Sequence, residues 1–199
     1  MTLHEHVASL VSACFYLRRR IRSICRSIPT STAIHLVTSF IISRVDYCNS
    51  LLSGAPACLI DRVQSVLNAP ARLIYGRGRY DHVTDQIRNR LYWLPVCQRI
   101  RFRCGLLAYE GLHGFAPSYI ADYCVRRNTT QNRYPLRITA CTRDNPFVPD
   151  TNTQFGERSF AVGGPKIWNS LTNIVKNAEC VDTFKSRLKT HLFKRAYDI

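Results

Sequence analysis

"LHEHVASLVSACFYLRRRIRSICRSI" occupies residues 3–28, and its apolar positions recur at alternating steps of four and three: Leu3, Val7, Leu10, Cys14, Leu17, Ile21, Ile24 and Ile28. On a helix turning about 100° per residue they fall on one stripe. Pro29 closes the segment, because proline lacks an N–H and biases the residue before it away from helical backbone. The pattern stops short of four heptads, so it predicts a helix docked on a bundle rather than a coiled coil. The same stretch holds the main functional candidates. Arg19, Arg22 and Arg26 project away from the stripe, Arg18 lies at its rim, and Phe15 shares the arginine face. Arginines interleaved with an aromatic suit backbone tracking with base stacking. A solvated charged face with one stray phenylalanine is the alternative.

Working outward, a second helix is expected after an N-cap at Thr30 or Ser31, with Val37, Phe40, Ile41, Val45 and Cys48 as its apolar side and an end near Gly54. A third, over 57–74, carries Leu59, Val63, Val66, Leu67 and Leu73, with a kink or break near Leu67 caused by Pro70. "YGRGRYDH" (75–82) reads as a basic loop, and Asp81 as the cap of a short helix to about Arg90. Pro95 opens a helix through the apolar segment 91–120. There Val96, Ile100, Cys104, Leu107 and Gly111 form one face, and Phe102, Leu106 and Tyr109 a second. Arg99, Arg103 and Glu110 lie on a line between the two, and Arg101 on the opposite seam. A helix sandwiched between two packing layers is expected, with Arg99 and Arg103 either snorkelling outward or facing a polyanion as a secondary contact. Residues 126–155, rich in Arg, Asn, Thr and Pro, read as an extended connector with a strand at "LRITAC". The segment 157–171 is expected to be partly helical at best. A last helix over 182–197 has Asp182 as cap and Phe184, Leu188 and Leu192 as its apolar side.

The chain has 199 residues, 46% of them hydrophobic and 21% charged, an ordinary globular balance. Its net charge is not ordinary: 28 basic residues against 13 acidic give a formal +15, and 23 of the 28 are Arg against 5 Lys. Arginine's planar donor fork suits phosphate and stacks on flat faces, which points to nucleic acid. Nine cysteines without a C-x-x-C read as buried thiols in a reducing compartment, with Cys14 and Cys25 at the edge of the first stripe. With no apolar run of about 18 residues and no signal peptide, an intracellular location, nuclear or cytoplasmic, is expected, with no membrane contact.

Signs of catalysis are absent. Two-metal nucleotidyl transfer needs convergent carboxylates, but the nearest acid pairs, Asp81/Asp85 and Glu179/Asp182, read as caps or surface charge. There is no P-loop, G-x-G-x-x-G or G-x-S-x-G, and "GGP" at 163–165 is too short to mark a phosphate loop. Cys97 and His113 project to opposite sides of their helix, against a thiol–imidazole pair. No catalytic residue, metal site, cofactor or small-molecule substrate is expected.

Several segments follow one another in an order that resembles a known family: "HVASLVSACFYLRRRIRSI" (6–24), "SRVDYCNSLLSGAP" (43–56), "VLNAPARLI" (66–74), "YDHVTDQI" (80–87), "LYWLPVCQRIRFRCGLLAYEGLHGFAPSYIADY" (91–123), "FGERSFAVGGPKIWNSL" (155–171) and "TFKSRLKTHLF" (183–193). They resemble the thumb and C-terminal region, downstream of the catalytic palm, of LINE-type non-LTR retrotransposon reverse transcriptases. The resemblance implies that the metal-binding aspartates of the RNA-directed DNA polymerase lie upstream, outside this chain, so none is carried over. It also implies that the Arg18–Arg26 surface holds a nucleic-acid backbone, as the family's thumb packs along the template–primer duplex. The family's usual "NAAAR" is "NAPAR" here, which sets Pro70 apart.

The expected fold is mainly α: an irregular helical bundle with an extended connector and a C-terminal helix. Residues 1–75 form a thumb-like bundle, 76–125 continue it, and 126–199 hold the connector and last helix. The expected function is that of a non-catalytic fragment of a LINE-type reverse transcriptase. It retains nonspecific RNA or DNA backbone binding through Phe15, Arg18, Arg19, Arg22 and Arg26, with Arg99 and Arg103 secondary. An inert or protein-interaction remnant, and a truncated form of a longer active polymerase, are the alternatives.

Overall fold

The computed structural model describes residues 2–125 and 145–198. The fold is mainly α-helical, and no strand forms among the described residues. The expected strand at "LRITAC" lies outside them. So does most of the connector, whose described part carries no helix before α8 (Gln154–Glu157).

Helix α1 (Leu3–Ile24) opens with a capping box: the Thr2 hydroxyl accepts from Glu5 N, and the Glu5 carboxylate accepts from Thr2 N. It ends four residues before the expected Ile28. Ile28 precedes a proline, and Pro29 is itself extended, so helical backbone is disfavoured there. Of the stripe, Val7, Cys14 and Ile21 are fully buried, whereas Ile24 is 47% exposed. Pro29, not Thr30 or Ser31, precedes α2 (Thr30–Val37), which runs on through a π-helical turn (Thr38–Ile42) into α3 (Ser43–Asp46). Left-handed backbone at Cys48 ends this rod, short of the expected Gly54. A 3-10 turn (Asn49–Leu52) follows.

Helix α4 (Ala57–Ile74) passes through Pro70 without the break that is one of the two outcomes expected near Leu67. Pro70 is buried between buried Ala69 and Ala71, and this packing holds the turn that the missing N–H weakens. α1 packs along α4, and both contact α2. His4 approaches Arg62 at 3.4 Å near the two starts, and Cys25 Sγ lies 4.0 Å from the Leu73 carbonyl near the two ends, so the helices run parallel.

After the 76–82 loop come α5 (Thr84–Gln86) and a π-helical turn (Ile87–Leu91). α6 (Val96–Leu112) starts one residue after Pro95. Its Val96 N–H donates to Gln64 Oε1 at 2.8 Å, so a glutamine of α4 supplies the cap.

The chain forms two compact units, Met1–Arg99 with Ala196–Asp198, and Ile100–Arg195. The second holds the rest of α6, α7 (Ser118–Ala121), α8, α9 (Phe160–Asn169), α10 (Asn173–Lys176) and most of α11 (Val181–Tyr197). Its core is aromatic: Tyr109 stacks on Phe184 at 4.2 Å and on His113 at 4.0 Å, and its hydroxyl donates to the Ala178 carbonyl. Phe184, Leu188 and Leu192 are buried, as the pattern of the last helix predicts. Cys180, not Asp182, sits at its start: Sγ accepts from Thr183 N, while Asp182 pairs with Lys185. Within the segment expected to be partly helical at best, helix α9 covers Phe160–Asn169, with Gly163, Gly164 and Pro165 buried inside it. A Cβ at Gly164 would lie 2.8 Å from the Phe160 ring, so this glycine serves close packing.

Candidate nucleic-acid interface

The C-terminal halves of α1 and α4, with the loop after α4, enclose a cleft of about 910 Å³. Six arginines line it: Arg18, Arg22 and Arg26 from α1, Arg72 from α4, and Arg77 and Arg79 from the loop. No acidic side chain lines it among the described residues. Such a cluster repels itself, and two features of the fold temper that. Arg22 and Arg72 stand in the last turns of parallel helices, whose terminal carbonyls carry partial negative charge. Arg72 Nε also donates to the Asp81 backbone carbonyl at 2.9 Å.

Arg18 is the most constrained of the six. Its guanidinium lies 5.5 Å from the Phe15 ring centroid, and its Nε is buried without a hydrogen-bond partner. Burial first, then the neighbouring Arg22, Arg19, Arg72 and Arg79, pull its pKa below the ordinary arginine value. An anion entering the cleft relieves the repulsion among these arginines.

The loop wall is held by Asp81. Its Oδ2 accepts from Gly78 N at 2.8 Å, so it braces the turn instead of capping the next helix as expected. Gly76 has φ +61°, a left-handed geometry that favours glycine. A Cβ at Gly78 would sit 3.3 Å from the Asp81 carboxylate.

The structure brings Phe15, Arg18, Arg22 and Arg26 together in this cleft. Arg19 is exposed and does not line it. Measured around the helix from Phe15, Arg18 lies at about −60°, toward α4, and Arg19 at about +40°, away from it. Arg72, Arg77 and Arg79 are absent from the sequence-based set. The basic loop "YGRGRYDH" was their visible signal, but nothing local told which helix it folds beside.

Arg99 and Arg103 separate. Arg99 donates to both Asp46 carboxylate oxygens, at 2.7 and 3.0 Å, and through Nε to the Leu94 carbonyl at 2.8 Å. Its positive charge is thus matched within the protein, by a residue far away in sequence. Arg103 is exposed on α6.

The cysteines also separate. Cys14 is buried, and burial raises its thiol pKa. Cys124 is buried likewise, its thiol pushed up to about 11. Cys25 is only half-buried and lines the cleft, and Cys48, Cys58, Cys97 and Cys180 are exposed, which corrects the expectation of generally buried thiols. Among the described residues, no group of three or more His, Cys, Asp or Glu side chains is placed to hold a metal ion. Nor is any helix among them long and apolar enough to cross a membrane.

Compared with known proteins, the chain matches no family model, no curated protein and no solved structure.

Proposed function

We propose that this chain binds the phosphate backbone of RNA or DNA without sequence preference. It does so as a non-catalytic helical module of the kind found downstream of the palm in LINE-type reverse transcriptases. The observation that carries the binding reading is the cleft between α1 and α4, with six arginines and no lining acid. A cluster kept for solubility would spread over the surface. This one converges on a single concave space. Phosphate supplies the acceptors such a space lacks. The family assignment rests on the ordered motifs of the sequence.

Titration with a nucleic-acid duplex at several salt concentrations tests this reading. Each neutralised phosphate contributes roughly −0.9 to the slope of log K against log salt. Replacing Arg18, Arg22 and Arg26 together by Gln should make the slope shallower by about 2 to 3. Salt-independent or absent binding by the unaltered chain sinks the proposal and favours a remnant without a nucleic-acid role.

A further inference from the structure

The loop that closes the cleft carries an aromatic ring that backbone binding leaves unused. Tyr80 is 85% exposed, next to Arg79, whose guanidinium lies 5.5 Å from the ring centroid. Arg79 lines the cleft, so the ring stands beside its mouth. The loop is braced on both sides of this pair: Asp81 Oδ2 accepts from Gly78 N at 2.8 Å, Arg72 Nε donates to the Asp81 carbonyl, and Arg77 N donates to the Arg72 carbonyl at 2.8 Å. Phe15 is less suited to stacking, because it is half-buried.

We infer that Tyr80 stacks on an unpaired nucleobase of a strand whose phosphates occupy the arginine cleft, so that the site takes single strands in preference to duplex. This rests on the backbone-binding reading above and adds a base contact to it. An exposed ring on a braced loop loses little freedom when a base covers it. A paired base is already stacked on its neighbours and offers no free face, whereas single strands offer theirs to any aromatic platform. The chemistry is shared by RNA and DNA.

The test uses fluorescence anisotropy with four labelled probes: oligoadenylate, its deoxy counterpart, an abasic strand of equal charge, and a duplex. Tyr80→Ala should weaken the first two by about 5- to 150-fold and change the abasic strand and the duplex by less than about 2-fold. Tyr80→Phe should restore the loss, because stacking needs the ring and not the hydroxyl. Phe155→Ala, at a ring equally exposed in the other unit, should change nothing. Loss on either sugar supports the inference, and the tighter wild-type strand identifies RNA or DNA as the preferred source. If Tyr80→Ala leaves all four probes alike while the Arg18, Arg22 and Arg26 variant still loses affinity, the stacking inference is wrong and the backbone reading survives. If no probe shows salt-dependent binding, both fall.

Discussion

At the scale of the residue, the Arg99 side chain is 12% exposed and held by the Asp46 side chain, itself 42% exposed. Removing it leaves a carboxylate that lost water on folding and has no replacement donor. Arg99→Gln should therefore cost about 2 kcal/mol in chemical denaturation, scaled down from a fully buried pair because Asp46 keeps part of its hydration. The same change should leave the salt dependence of nucleic-acid binding untouched. Arg103→Gln should alter neither. His191 tells a second residue-scale story. Its Nε2 is buried without a partner, and burial first, then Arg195, hold its pKa below the ordinary 6.5. The unfolded chain therefore takes up this proton more readily than the folded one. The stability it contributes is present above about pH 6.5 and is lost as pH falls through the depressed folded value. Melting temperature should drop on acidification across that window, and less steeply in His191→Gln. An equal drop in both proteins would place the acid sensitivity elsewhere.

At the scale of the element, α1 has two long edges beside its buried stripe, and only one faces α4. Arg22 is on that edge and lines the cleft; Arg19 is not and does not. Single substitutions on one helix should then behave differently. Arg22→Gln should make the salt slope shallower by about 1, and Arg19→Gln should leave it within error, with helicity by circular dichroism equal in both. Equal effects would mean that the whole exposed face of α1, not the cleft, meets the phosphates. α4 poses a stability question instead. A proline inside a helix costs about 3 kcal/mol relative to alanine, but the Pro70 ring is buried, and losing its methylenes costs roughly 1–2 kcal/mol. Pro70→Ala should thus stabilise the chain by about 1 kcal/mol, read as a higher denaturant midpoint at unchanged slope.

At the scale of the whole molecule, chemistry needs groups that converge, and among the described residues no three His, Cys, Asp or Glu side chains come together to hold a metal. Asp46 is committed to Arg99, Asp81 to the Gly78 N–H, and Asp182 to Lys185. Purified protein should give no primer extension on an RNA template with Mg²⁺ or Mn²⁺. Incorporation that depends on template and persists in Asp81→Asn, Asp85→Asn, Glu179→Gln and Asp182→Asn variants, with contamination excluded, would overturn that expectation.

What the sequence by itself determined was local and periodic. The stripe of α1, the span of α4 and the buried side of α11 were legible, because a period near 3.6 and a flanking proline act within a few residues. So was the composition, an arginine excess with few acids to match it. Tertiary structure decided which arginines share a space and which are matched internally. The Asp46 partner of Arg99, the Gln64 cap of α6, the turn made by Asp81 and the meeting of α1 with the 76–79 loop all depend on contacts between distant segments. A helical wheel places a side chain on an edge but does not say which edge meets a neighbour. That choice follows from how α1 and α4 pack, and it sets Arg18 inside the cleft and Arg19 outside it.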